Sequence, residues 1–154
     1  MEKIQKSVVI DVPPAKAFAY LTDAAHLPEI WPSMVEVKNV IATPDGAHSF
    51  DWTYKMAGIH FHGHAETLEV VKDRYRLVGN EKGIQSTFRW TFDAHGGGTK
   101  LELEIHYEVP IPVLGRLAAP FLRRLNEREA ETLLQNLKER LEMAQPADTA
   151  AAAG

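Results

Sequence analysis

The chain has 154 residues, 45% hydrophobic and 25% charged, with a net charge of −4, which suits one domain with a buried core and lacks a nucleic-acid binder's basic footprint. It has no cysteine, which excludes disulfides, thiolate metal sites and a cysteine nucleophile, and fits a reducing compartment. "MEKIQKSVVIDVPP" shows no signal-peptide pattern and no run reaches membrane-spanning length, so a soluble cytoplasmic protein is expected.

Residues 3–12, "KIQKSVVIDV", alternate Ile4, Lys6, Val8, Ile10 and Val12 with Gln5, Ser7, Val9 and Asp11. The pattern predicts a strand with one dominant apolar face. Pro13 and Pro14 end it, and Ala17, Phe18 and Leu21 then recur at helical spacing, with Pro14 suited to a first helical turn. A second short helix is predicted over 24–31, stopping at Trp31-Pro32 because a residue before proline disfavours helix.

From Ser33 the period becomes two. Strands are predicted over 33–43, 48–56, 59–72, 74–79, 84–94 and 99–109, with turns at Pro44-Asp45-Gly46 and Ala57-Gly58. The clearest is "HSFDWTYKM", where Phe50, Trp52, Tyr54 and Met56 alternate with Asp51, Thr53 and Lys55. In the last strand Leu101, Leu103, Ile105, Tyr107 and Val109 oppose a charged face, as in an antiparallel sheet with one side in water. Gly96-Gly97-Gly98 reads as a hairpin connection, since no parallel strand and helix flank it as a phosphate loop requires.

After Pro110 and Pro112 helical spacing returns. "VLGRLAAP" predicts a short apolar turn or helix, and Pro120 begins a long C-terminal helix ending near Ala144. The domain is expected to span 1–145, with a disordered tail over 146–154. A curved antiparallel sheet with one apolar face needs a cover, and that helix is the element large enough to supply it. The predicted fold is therefore α+β: a sheet of about seven strands wrapped around the long helix, with two short helices after the first strand.

"VIDVPPAKAFAYLTDAAHLPEIWPSMVEVKNV", "GGGTKLELEIHYEVP" and the final helix together resemble the START-like, helix-grip superfamily, nearest its polyketide cyclase/dehydrase and lipid-transport branch. The resemblance covers residues 3–144. It implies an internal cavity for a hydrophobic small molecule such as a lipid, quinone or polyketide-like compound; no cofactor is expected. The residues support such a cavity independently. Alternation turns Trp52, Tyr54, Phe88, Trp90, Phe92 and Tyr107 inward, and aromatics with a few polar tips are the usual lining of a ligand pocket. Phe61 and Leu103 share those inward faces. The alternative is that these side chains only fill the core.

On the long helix Leu122, Leu133, Leu137 and Ala144 define an apolar arc, with Asn126 near its middle and Glu129 near its edge. A polar group on an apolar face costs free energy unless it finds a partner, so Asn126 and Glu129 are candidate ligand contacts. A rotated helix with Glu129 solvated, or Asn126 bonded to the sheet, is the other reading.

"HFHGH" places His60, His62 and His64 on one strand face, opposite Ile59, Phe61, Gly63 and Ala65. The second set suits the cavity, so the histidines are expected in water. Leu68 and Val70 are in phase with the histidines, and a bulge near 66–68 would reconcile them. Without it the histidines form an inward polar wall. A metal site would need a carboxylate such as Asp51 from an adjacent strand, and none is expected.

No Ser/His/Asp arrangement is legible. Some relatives in the superfamily are cyclases or aromatases, and here Tyr54, Tyr107 and Glu129 would be the acid/base candidates. A binding or carrier role is preferred to an enzyme. A third class is an accessory protein that touches a membrane through "VLGRLAAPFLRRL", although Arg116 and Arg123 suit the wet side of a helix. The expected partner is the small molecule, with no nucleic acid.

Overall fold

The computed structural model describes residues 1–108 and 119–153. In chain order it contains β1 (Glu2–Ile10), α1 (Pro14–Thr22), a 3-10 turn (Ala24–His26), α2 (Leu27–Ile30), β2 (Met34–Ala42), β3 (His48–Met56), β4 (Ile59–Val71), β5 (Tyr75–Glu81), β6 (Ser86–His95), β7 (Gly98–Tyr107) and α3 (Ala119–Ala153). The seven strands form one antiparallel sheet in the order β1-β7-β6-β5-β4-β3-β2. Every predicted strand and the long helix have a counterpart. The short apolar turn or helix expected over 113–120 lies mostly outside the described residues, as do Val109 and Arg116.

Two differences have local causes. The single short helix expected over 24–31 is divided into the 3-10 turn and α2, because Pro28 lacks an N–H and fits only a first turn. The backbone of α3 runs to Ala153, past Ala144 where the apolar period stops; alanine is the strongest helix former.

Two-residue turns make the hairpins. Ala57 and Gly58 both have positive φ, as do Gly96 and Gly97, which matches the right-handed twist of the flanking strands. In β4 the register slips between Thr67 and Glu69. This bulge leaves Leu68 58% exposed and returns Val70 to the inner face opposite Arg76.

The apolar inner face is covered by α1, α2 and α3, and the core gathers residues from all of them. Helix α3 runs alongside β1 in the same direction. Arg123 grips Glu2 through Nε and Nη2 at 2.8 and 2.9 Å, and Lys6 reaches Glu131 at 2.9 Å. Further along, Lys138 Nζ donates to Val9 O at 3.0 Å and Asp11 N donates to Glu142 Oε2 at 3.1 Å. The lengths agree: the strand advances about 30 Å from Glu2 to Asp11, and the helix about 28 Å from Arg123 to Glu142. The last two contacts also occupy backbone groups at the β1 edge that would otherwise template another strand. At the opposite edge, β2 carries two register shifts, which discourage pairing. Among the described residues no helix is long and apolar enough to cross a membrane.

Candidate functional site

The inner face of the sheet is organised in rows across the strands. Tyr107, Ser86 and Asn80 form one row, Ile105, Phe88 and Val78 the next, and Leu103, Trp90 and Arg76 a third. Between these rows and the first turns of α3 lies a cavity of about 90 Å³. A single water needs about 10–15 Å³ of such space, so the interior is not packed solid.

The wall is mostly apolar. Of the residues expected there, Trp52, Tyr54, Phe88, Trp90, Tyr107, Asn126 and Glu129 line it. Phe61, Phe92, Leu103, Leu122 and Leu133 do not, although all five are buried. Phe92 instead packs edge-on against Phe18 of α1, centroids 5.4 Å apart. Strand period assigns a face; it does not say where along that face a helix fills the space. Several lining residues escaped the sequence reading, among them Trp31, His48 and Arg76. Trp31 reaches in from the end of α2, and His48 and Arg76 stand on inward strand positions. A signal for Arg76 was available, since it shares the face of Val78 in β5.

The polar tips divide into satisfied and unsatisfied groups. Trp52 Nε1 donates to Asn80 Oδ1 at 3.1 Å. Glu129 Oε2 accepts from Ser33 N at 3.4 Å, so this carboxylate is tied to the start of β2. By contrast Trp31 Nε1, Tyr107 OH and Asn126 Nδ2 are buried without a hydrogen-bond partner among the described residues. The Tyr107 phenol and the Asn126 amide are neighbours that interact without forming a well-aligned hydrogen bond. Trp31 stands over Tyr54 at 5.4 Å and Phe88 at 5.3 Å between centroids.

Electrostatics narrows the chemistry. Burial pushes the Tyr54 phenol well above its ordinary value and the charge of Glu129 adds to this, while the neighbouring Trp31 indole and Ser33 work against it. Burial likewise raises Tyr107, with Asn126 working against it. Both phenols are therefore protonated donors near neutral pH. A tyrosine serves as a general base only as its phenolate, and both of these are held protonated.

The histidines stand on the other face. His60 and His62 are exposed, Phe61 and Ala65 are buried, and His62 Nδ1 lies 2.9 Å from Thr53 Oγ1. His64 Nδ1 is 2.8 Å from Asp51 Oδ1 and its Nε2 is 3.2 Å from Glu66 Oε1. Asp51 also accepts from Asn39 Nδ2 at 2.7 Å. Hydrogen bonding to Asp51 raises His64, while the hydrogen bonds from Asn39 and His64 lower Asp51. Asp51 is thus the cross-strand partner of one histidine, and among the described residues no three side chains are grouped to hold a metal ion. Gly63 leaves room for Trp52: a Cβ there would sit 2.1 Å from Cζ2 of the indole.

A curved antiparallel sheet closed over a long C-terminal helix around an apolar cavity defines the helix-grip class. The family of polyketide cyclase/dehydrase and lipid transport proteins matches residues 1–142, and the chain belongs to it. Solved structures agree in fold. A protein from Thermus thermophilus superposes with a TM-score of 0.80 at 22% identity, over 93% of this chain and 99% of that one. The Zhui aromatase/cyclase from Streptomyces sp. R1128 gives 0.75 at 13% identity, over 92% and 93%. The di-domain aromatase/cyclase StfQ of the steffimycin biosynthetic pathway gives 0.73 at 18% identity, over 94% of this chain and 51% of that one. Comparison with curated proteins finds no sequence match.

Proposed function

We propose that the protein binds a hydrophobic small molecule in this cavity as a carrier or accessory protein. The observation that carries the reading is the set of three unpaired polar atoms, on Trp31, Tyr107 and Asn126, in an otherwise apolar wall. Two are N–H donors and the third is a hydroxyl that donates or accepts. A ligand carbonyl or hydroxyl would bond to these groups, and the apolar wall would hold the rest of the molecule. Lipids, quinones and polyketide-like compounds all fit this description. Native mass spectrometry of freshly purified protein, with extraction of whatever is bound, is the direct test. An empty protein that also fails to take up any apolar compound would end the carrier reading.

A second reading is a cyclase or aromatase, favoured by the names of two similar structures and by Tyr54 held protonated beside Glu129. Tyr54 or Tyr107 would then act as an acid on a ligand carbonyl. Its test is formation of a cyclised, dehydrated product from a poly-β-ketone. Contact with a membrane is a separate proposal, and cosedimentation with liposomes decides it.

A further inference from the structure

The cavity wall contains a full positive charge that no described residue balances. Arg76 is 1% exposed, and its side chain lines the cavity. Its Nε donates to Gly46 O at 3.0 Å, Nη2 donates to Thr22 Oγ1, and the guanidinium lies 4.2 Å over the Phe18 ring. All three partners are neutral. Among the described residues no carboxylate pairs with Arg76, and Nη1 donates to no group. The neighbouring imidazole supplies no counter-charge: His48 Nδ1 is 2.9 Å from Thr22 O, and burial together with the charge of Arg76 holds it down to about 4, so it stays neutral. Burial alone lowers Arg76 to about 10, which leaves it charged at neutral pH.

Neutral hydrogen bonds and an aromatic face orient a guanidinium, but they do not cancel its charge. Burying an ion without a counter-ion costs several kcal/mol, and arginine is the side chain best shaped to hold a carboxylate by two parallel bonds. We infer that the cavity selects ligands bearing an acidic group, carboxylate or a similar oxyanion, placed against Arg76. The row of Arg76 and the row of Tyr107 are four residues apart along the strands, about 13 Å. The ligand would therefore be anionic at one end and meet Tyr107 and Asn126 with its other end. This deepens the proposed function and rests on it.

Matched fluorescent probes test the charge separately from the cavity. Anilinonaphthalene sulfonate and N-phenyl-naphthylamine share an aromatic body, and only the first is an anion. The net charge of −4 opposes anions in general, so a preference for the sulfonate must come from a local cation. Titration of the native protein is expected to show the sulfonate bound about tenfold tighter or more, as for a charge-assisted hydrogen bond. Arg76→Met should erase the preference while retaining the neutral probe, and Arg76→Lys should keep part of it. Equal or tighter binding of the neutral probe by the native protein would overturn the inference, whether or not the variants fold. So would an unchanged preference in a folded Arg76→Met. If neither probe binds, the cavity reading fails and this inference falls with it.

Discussion

Asn126 and His48 show how differently a buried polar residue can be accommodated. Asn126 lies on the apolar face of α3 with its amide nitrogen unpaired among the described residues, so its role is read in binding. Asn126→Leu keeps the bulk and removes both hydrogen-bonding functions. Calorimetric titration with the extracted ligand should show binding weakened by about 1–2 kcal/mol, with the thermal melt preserved. His48 is bonded through Nδ1 to Thr22 O, and its role is read in stability. Its folded pKa of about 4 lies below the ordinary value of 6.5. Between those values the unfolded chain binds a proton that the folded chain refuses. Stability should therefore fall as the pH drops from about 6.5 towards 4, by up to about 3 kcal/mol from this group. Urea unfolding across that range should give a flatter profile for His48→Gln. The half-buried His64 has the opposite sign: its pKa is raised, so its smaller contribution is present at low pH and fades as the pH rises through its folded pKa.

At the scale of the element, β4 joins a clear sequence pattern to a backbone irregularity. The alternation of Ile59, Phe61, Gly63 and Ala65 against three histidines assigns the faces, and the bulge at Leu68 explains why the pattern then breaks. Replacing His60, His62 and His64 together with Gln should change stability by about 0.5 kcal/mol or less and leave ligand affinity intact. A Tm that rises with zinc or nickel in the native protein, and not in the variant, would contradict this. Gly63→Ala is a harsher change. The new methyl group would overlap the Trp52 indole, and that ring is a cavity wall anchored to Asn80. We expect a loss of about 1–3 kcal/mol, as overpacking usually costs, with a shift in tryptophan fluorescence as the indole moves. An unaltered melt and spectrum would mean that the strand yields more readily than the contact implies.

At the scale of the whole molecule, the open space is set by how far α3 stands from the sheet. Ala130 is 2% exposed and lines the cavity from the helix side. Ala130→Leu should fill that space, abolish ligand binding and leave Tm unchanged or higher, since a void is being closed. A lowered Tm with retained binding would show that the helix gives way instead. The sequence by itself determined the strands and the long helix, their order and most of their inward faces. Period two and period 3.6 are local consequences of backbone geometry, which is why β3 could be read to the residue. It also marked Asn126, because one polar group on an apolar arc is visible without neighbours. Only the tertiary structure decided which inward residues meet empty space. Phe88 and Phe92 share one face of β6, yet Phe88 lines the cavity and Phe92 is covered by Phe18. Nor could the sequence show that Arg76 is buried among neutral partners. Both depend on how α1 and α3 pack over the sheet, which joins residues far apart in the chain and leaves no periodic mark within it.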